Sequence, residues 1–372
     1  MTGPVVLTGG GTGGHIFPMQ AIADALVSAG VAPRDIRYVG SRRGQEEALL
    51  GGGPIALTLL PGRGIRRSLS ARAWRDNAGA LVALAGALAR ALVEVGRWRP
   101  RVVVSVGGYA AAAVASAAVL WRRPLVLVDL DATPSATHRA LARFASVRCL
   151  ALGADGAGVV VTGAPVRAEV LAVDRRASAR ERAKAAIEPV IDPARRVVVV
   201  MSGSLGAARV NRAVLDLAAL WRERSDVTLV HVTGRRDYEM VRAARPALEG
   251  LDYRVIDFAH MPTWWAVADV AICRAGATTV AELTALAVPA VLVPLPGAPG
   301  DHQTHNADAL AVAGAARRLS DAACTGAALA STVDEMLRPG VLEEMSRASA
   351  ALGRRDAATH IAQVITSLAE GS

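Results

Sequence analysis

With 372 residues, the chain exceeds the ~250–300 residues at which single hydrophobic cores tend to split, so two domains with a cleft between them are expected. Its 52% hydrophobic and 20% charged residues exclude intrinsic disorder, and its 3% aromatic residues leave little to stack on nucleic-acid bases, so no nucleic-acid partner is expected. The formal net charge of +9, carried almost wholly by arginine, by itself suits nucleic acid, anionic lipid or phosphorylated ligands.

Val5 to Leu7 reads as a strand, Pro18 to Ala29 as a helix, Ile36 to Val39 and Ile55 to Leu59 as strands, and Arg75 to Trp98 as a helix. A strand at Val102 to Val106, a helix at Ala110 to Leu120 and a strand at Leu125 to Val128 follow. Such alternation predicts a parallel sheet covered by helices on both faces. The pattern restarts with a strand at Arg196 to Met201, a helix at Ala208 to Trp221 and strands at Val227 to Val232, Tyr253 to Asp257 and Val270 to Ile272. A helix near Thr278 to Ala287 and a strand at Ala290 to Val293 continue it. The expected fold class is therefore α/β, with two Rossmann-like domains joined between Thr162 and Pro193. Ala177 to Ala186 reads as an exposed helix after the join. Asp356 to Leu368 carries Ala358, Ile361, Ile365 and Leu368 at helical spacing and is expected to pack back on the first domain.

Val102 to Trp121 is uncharged and about as long as the ~20 residues a bilayer span needs. Gly107-Gly108 interrupts it, with β-branched residues before and alanines after, which reads as strand, turn and buried helix. Cys149, Cys273 and Cys324 are isolated, which fits core positions in a reducing cytoplasm and offers no metal-ligand spacing. No signal peptide is expected, because the first residues lead directly into a strand. The stretch Gly62 to Arg75 holds five arginines and no acid, interleaved with Ile65, Leu69 and Trp74. That mixture suits contact with a membrane surface, the alternative being a solvated loop beside a core helix.

Three glycine turns lie between a strand and a helix: Thr8-Gly9-Gly10-Gly11-Thr12-Gly13-Gly14-His15, Val106-Gly107-Gly108-Tyr109 and Ser202-Gly203-Ser204-Leu205-Gly206-Ala207. Glycines let the backbone approach an anion closely, and a helix N-terminus presents free N–H groups to it. Gly9, Gly11 and Gly14 fit a dinucleotide fingerprint, but the acidic residue expected near the end of the second strand is replaced by Arg42-Arg43, which leaves a nicotinamide reading only as a 2′-phosphate variant. No Gly-Lys-Ser/Thr follows a glycine turn, which argues against a triphosphate P-loop. Three such turns shared by two domains imply a ligand, or a pair of ligands, with several phosphates.

These turns, together with Pro61-Gly62-Arg63-Gly64, Thr162-Gly163-Ala164-Pro165-Val166-Arg167, Thr233-Gly234, Arg274-Ala275-Gly276-Ala277-Thr278-Thr279-Val280-Ala281-Glu282 and Asp301-His302-Gln303-Thr304-His305-Asn306-Ala307, make the chain resemble the MurG family over nearly its whole length. The resemblance implies two facing Rossmann-like domains of the GT-B glycosyltransferase type with a central cleft. Residues 1–162 with a C-terminal helix at 355–372 would bind acceptor and membrane, and residues 163–354 would bind the donor. The implied reaction is an inverting transfer of N-acetylglucosamine from UDP-N-acetylglucosamine to the 4-hydroxyl of undecaprenyl-diphosphate-linked N-acetylmuramoyl-pentapeptide. It would run without a metal or other cofactor, on the cytoplasmic face of the membrane, with the protein held peripherally by anionic lipid.

Carried over residue by residue, the resemblance makes His15 the general base, and an imidazole, with an ordinary pKa of ~6.5, suits that task. Thr12, Gly13, Gly14, Arg167, Ser204, Phe258, Ala259, Ala277, Thr278, Thr279, Glu282, His302 and Gln303 fall at donor positions. Among these, Glu282 would accept from the ribose hydroxyls, Phe258 and Ala259 would hold the uracil, and Gln303 with His302 would contact the sugar. Gly10, Gly11, His15, Gly107, Gly108, Tyr109 and Asp131 fall at acceptor positions, and Asn306 is expected to cap a helix. Trp121-Arg122-Arg123 with Trp74 would form the membrane patch.

The family's usual His-Glu-Gln-Asn segment is here Val128-Asp129-Leu130-Asp131, its Gly-Gly-Ser-Gln-Gly turn is Ser202-Gly203-Ser204-Leu205-Gly206, and Ala164 and Ala275 replace an Asn and a Ser. Asp131 would place a negative charge near diphosphates unless an Arg or a sugar hydroxyl meets it. The alternatives that follow are a paralogue with another acceptor or sugar and a non-catalytic UDP-N-acetylglucosamine-binding protein. A UDP-N-acetylglucosamine 2-epimerase-like enzyme would share the architecture and the nucleotide sugar, but not the acceptor-side loops.

Overall fold

A computed structural model of the chain describes residues 3–11, 13–61, 71–201, 203 and 207–370. The backbone divides into two compact units, residues 1–167 with 355–372 and residues 168–354.

The first unit is built on strands β1 (Val5–Gly9), β2 (Ile36–Ser41), β3 (Ala56–Leu60), β4 (Val102–Gly107), β5 (Leu125–Asp129), β6 (Val147–Leu150) and β7 (Val159–Val161). Its helices are α1 (Gly13–Ser28), α2 (Glu46–Leu50), α3 (Ala71–Trp98), α4 (Tyr109–Leu120) and α5 (Ala136–Leu141). The strands form one parallel sheet in the order β3-β2-β1-β4-β5-β6-β7. The central strands are buried along their length and read as runs of valine and leucine, as a sheet covered on both faces requires. On one face Val6, Val103, Leu125 and Leu127 pack with Ala113, Val114 and Ala117 of α4 and with Ala87, Ala91 and Val95 of α3. The small alanines let the helices lie close to the strands.

The second unit comprises α6 (Ala168–Leu171), α7 (Ala177–Ala185), β8 (Arg196–Met201), α8 (Ala208–Leu220), β9 (Val227–Val232), α9 (Tyr238–Ala243) and β10 (Asp252–Ile256). It continues through α10 (Met261–Val267), β11 (Val270–Cys273), α11 (Ala277–Ala285), β12 (Ala290–Leu292), α12 (His302–Val312), β13 (Ala316–Arg318), α13 (Gly326–Met336) and α14 (Val341–Leu352). Its parallel sheet has the order β10-β9-β8-β11-β12-β13. Strand order therefore reverses between β1 and β4 in one unit and between β8 and β11 in the other, and the crevice beyond the strand ends at such a point is the usual ligand site of open α/β sheets.

The last helix, α15 (Ala357–Glu370), belongs to the first unit and packs on α1, burying Ile361, Ala362 and Ile365. The Val102 to Trp121 run divides into β4, a glycine turn and α4, and no described helix is long and apolar enough to cross a membrane. All three cysteines are buried, and burial pushes the thiols of Cys149 and Cys273 up to about 12.

Two buried polar networks brace the sheets. In the second unit the His231 ring nitrogens meet Tyr253 Oη at 2.8 Å and Asn211 Oδ1 at 2.9 Å, and Asn211 donates onward to Asp237 at 2.9 Å. Burial pulls the His231 pKa down to about 3, so the ring is neutral. In the first unit Asp129 accepts from His138 Nδ1 at 2.7 Å and from Arg148 at 3.1 Å, and His138 Nε2 meets Ser105 Oγ at 2.8 Å.

Candidate functional site

Beyond the C-terminal ends of β1 and β4, two of the expected acceptor turns touch. Gly108 lies so close to the first loop that a Cβ there would meet the Gly10 carbonyl oxygen at 2.4 Å, and its φ of +91° suits glycine alone. A Cβ on Gly107 would come within 3.3 Å of His15 Nε2, so the imidazole lies directly over the second turn. His15 is the third residue of α1, half-buried, at the end of the helix where the dipole favours negative charge. Gly10, Gly11, Gly13, Gly14, His15, Gly107 and Gly108 are thus gathered at the reversal point of the first sheet. Asp131 is half-buried two residues past β5, the strand beside β4.

The helix starts earlier than the proline suggests: α1 begins at Gly13, with Pro18 inside it, where the sequence points to Pro18 as the first turn. The tight link from β1 places the glycines in the first turn, against their low helix propensity. Arg167, grouped with the donor residues by its sequence, lies in the first unit, its guanidinium 4.3 Å from the Phe17 ring centroid. Phe17 in turn packs against Gly13.

In the second unit Ala277, Thr278, Thr279 and Glu282 all lie on α11, which leaves β11 at the reversal point with Gly276 at its N-cap. Glu282 is only 4% exposed and accepts from the Trp265 indole N–H at 3.0 Å. Trp265 is on α10, which follows Phe258 and Ala259, so this bond ties the segment after β10 to α11. Phe258 is 55% exposed, with the Arg235 guanidinium 4.9 Å from its ring centroid, leaving an open aromatic face beside a cation.

Gln303 and His302 open α12. Gln303 Oε1 accepts from the Leu295 N–H at 2.9 Å, and His302 Nδ1 lies 2.8 Å from the Pro299 carbonyl. The carbonyl end of Gln303 therefore orders the loop after β12. Asn306, expected as a helix cap, sits inside α12 and donates to the Ala275 carbonyl at 3.0 Å, holding the turn before α11.

Thr12 and Ser204 lie outside the described residues, as do the side chains of Tyr109 and Trp74 and the arginine-rich residues 62–70. Among the described residues, no group of three or more His, Cys, Asp and Glu side chains is arranged to hold a metal ion.

Sequence reasoning did not single out Trp265, Arg274 as a brace, or Glu46. Arg274 donates to the Val293 and Pro294 carbonyls, both at 3.1 Å, and pairs with Asp321 at 2.8 Å. The pairing partners are distant in the chain and left no local signal. The segment 128–135 departs from the family pattern, and at its start Asp129, the last residue of β5, pairs with His138, both side chains buried. Asp129 stands where the family has a Glu, and its partner is supplied by α5; Asp131, which replaces the Asn, is half-buried two residues further on.

Residues 5–147 match the family model described as the glycosyltransferase family 28 N-terminal domain, and residues 197–361 match that of the glycosyltransferase family 28 C-terminal domain. A protein of Alkalilimnicola ehrlichii is 38% identical over 370 residues, covering 98% of each chain, and one of Moorella thermoacetica is 37% identical over 382 residues, covering 98% of this chain and 99% of its own. Both are named UDP-N-acetylglucosamine--N-acetylmuramyl-(pentapeptide) pyrophosphoryl-undecaprenol N-acetylglucosamine transferase. The crystal structure of Acinetobacter baumannii MurG superposes with a TM-score of 0.78 at 27% identity, over 98% of this chain and 99% of that one. A putative UDP-N-acetylglucosamine 2-epimerase of Listeria monocytogenes, at 15% identity and a TM-score of 0.67, shares the fold.

Proposed function

The chain belongs to the MurG family of glycosyltransferases, and from that membership we infer that it transfers N-acetylglucosamine from UDP-N-acetylglucosamine to undecaprenyl-diphosphate-linked N-acetylmuramoyl-pentapeptide. The observation that carries the assignment of roles is the His15 ring lying over Gly107, where two glycine turns meet at one helix N-terminus. Such a place receives an acceptor diphosphate on backbone N–H groups and sets an imidazole beside it.

In the proposed reaction His15 takes the proton from the acceptor's 4-hydroxyl as that oxygen attacks the anomeric carbon of the donor sugar. The bond from that carbon to the UDP oxygen breaks, UDP leaves with the electron pair, and the configuration inverts. The N–H groups at the start of α11, near Ala277, Thr278 and Thr279, face the charge that develops on the leaving diphosphate. Glu282, held by Trp265, accepts from the ribose hydroxyls, Phe258 and Ala259 border the uracil, and Gln303 with His302 contacts the sugar. The helix termini and arginines take the place of a divalent cation in this scheme. Residues 1–162 with 355–372 bind the acceptor and residues 163–354 the donor.

In this reading the protein sits on the cytoplasmic face of the membrane as a peripheral protein. Leu120, Trp121 and Val93 support that reading: all are at least half exposed, and Arg122 and Arg123 follow directly. Apolar side chains beside cations suit an anionic bilayer surface.

The test is transfer of radiolabel from UDP-N-acetylglucosamine to a short-chain lipid acceptor in the presence of chelator, with His15→Ala and Glu282→Ala alongside. Transfer that survives chelator and collapses in both variants is expected. Absence of transfer with nucleotide-sugar binding intact would move the assignment to another acceptor, and an unchanged rate in His15→Ala would remove that residue as the base.

A further inference from the structure

Glu46 is a carboxylate with no solvent exposure at the start of α2, and it bonds to nothing charged among the described residues. Its Oε1 accepts from the Ser41 N–H at 2.7 Å and from the Gly11 N–H at 3.0 Å, and its Oε2 has no hydrogen-bond partner among the described residues. Three glycines form the walls around it. A Cβ on Gly10 would stand 2.0 Å from Oε1, one on Gly40 2.6 Å from Cγ, and one on Gly44 1.8 Å from Oε2. Burying a carboxylate without a cation is costly, and the Ser41 bond is a local one, five residues along the chain. The bond to Gly11 reaches a loop 35 residues away and turns that peptide N–H inward.

We propose that Glu46 is a positioning residue for transfer: its carboxylate fixes the Gly10-Gly11 backbone, and through it the approach of His15 and the start of α1 to the acceptor. The proposal rests on the reading that this loop receives the acceptor. Charge-assisted bonds to backbone N–H groups are the stronger kind, so one of them defines a peptide plane that glycines alone leave free. Gly108 packs on the Gly10 carbonyl, so the same carboxylate also sets the seat of the second turn.

The experiment uses the full chain with Glu46→Ala, Glu46→Gln, Gly44→Ala and the Glu46→Ala/Gly44→Ala pair. Steady-state constants are measured separately for the lipid acceptor analogue and for UDP-N-acetylglucosamine, and amide hydrogen exchange is followed over residues 5–19. In Glu46→Ala we expect kcat/KM for the acceptor to fall about tenfold, the size of one charged hydrogen bond. The donor KM should stay within about twofold, exchange should quicken at Gly11, and Glu46→Gln, which keeps an oxygen acceptor, should recover most of the loss. Gly44→Ala should be harmful alone and add nothing to Glu46→Ala, because the methyl then fills vacated space. Unchanged acceptor kinetics, equal losses for both substrates with loop exchange unaltered, or multiplying losses in the pair would overturn the proposal. Should the wild-type protein transfer nothing to the lipid, the functional reading fails, and the exchange result alone decides whether Glu46 holds the loop.

Discussion

Trp265 donates its indole N–H to the Glu282 carboxylate at 3.0 Å, and both side chains are almost wholly buried. The bond keeps an acid in place on α11 before any nucleotide arrives. In Trp265→Phe the carboxylate loses that donor, which costs about 1–3 kcal/mol. Titration calorimetry should show UDP-N-acetylglucosamine binding weakened by roughly tenfold, with acceptor binding unaltered. Unchanged donor affinity would mean that Glu282 is positioned by other contacts.

Stability should fall on mild acidification because of His231. Burial holds its pKa at about 3 in the folded protein, whereas the unfolded chain takes up that proton below about 6.5. The stabilisation is therefore complete above about 6.5 and is lost at ~1.4 kcal/mol per pH unit as the pH falls towards the folded value. Urea denaturation between pH 7.5 and 5 measures the slope, and His231→Gln should flatten it. Asp269 also contributes, but lower down. Burial raises its carboxyl pKa, and Arg180, the Val197 N–H and Arg196 outweigh that and bring the net direction down. Its contribution is present above about 3.9 and is lost only below it.

Ser105, His138 and Asp129 are joined as in a hydrolase triad, yet Ser105 has no exposure and His138 only 2%. No acyl group can reach that hydroxyl, so a fluorophosphonate should leave the native protein unlabelled, and labelling of Ser105 would mean that this face opens. Asp129→Asn removes the charge shared by His138 and Arg148 and should destabilise the first unit by about 3–5 kcal/mol, as breaking a buried pair does. Ser105→Ala should cost only about 1 kcal/mol in the same denaturation experiment.

Vesicles containing anionic phospholipid should sediment the protein, and Leu120→Ser with Trp121→Ser should reduce the bound fraction several-fold at an unchanged rate with a soluble acceptor. Raising salt from 0.05 to 0.5 M, roughly an order of magnitude, should weaken the residual attraction by screening the arginines. A variant that binds vesicles as tightly as the parent would place the membrane contact elsewhere.

The parallel sheets, the glycine turns and the return of the last helix were legible because each rests on a local pattern: β-branched runs, glycines between strand and helix, and apolar residues at helical spacing. The beginning of α1 was not, since its link to β1 overrides the propensity of Gly13 and Gly14. Short elements such as α2, α5 and α10 left no periodicity long enough to read. The positions of His15 and Glu282 came from resemblance, but the groups that hold their surroundings did not. Gly11 and Glu46 are 35 residues apart and Trp265 and Glu282 are 17 apart. A bond between such positions is a product of topology, and no window along the chain contains it.

The packing of α15 on α1 joins segments separated by the entire second unit, residues 168–354. During synthesis at the ribosome, the 168–354 segment emerges whole before the partner of α1 has been made. Domains generally fold as units, usually in the order they emerge, and here the later unit is able to finish first. Until α15 has been made, α1, with the glycine loop at its head, waits with part of its apolar face uncovered. Packing of the helix that carries His15 is thereby coupled to synthesis of α15, so a chain that stops before residue 355 leaves α1 without that support.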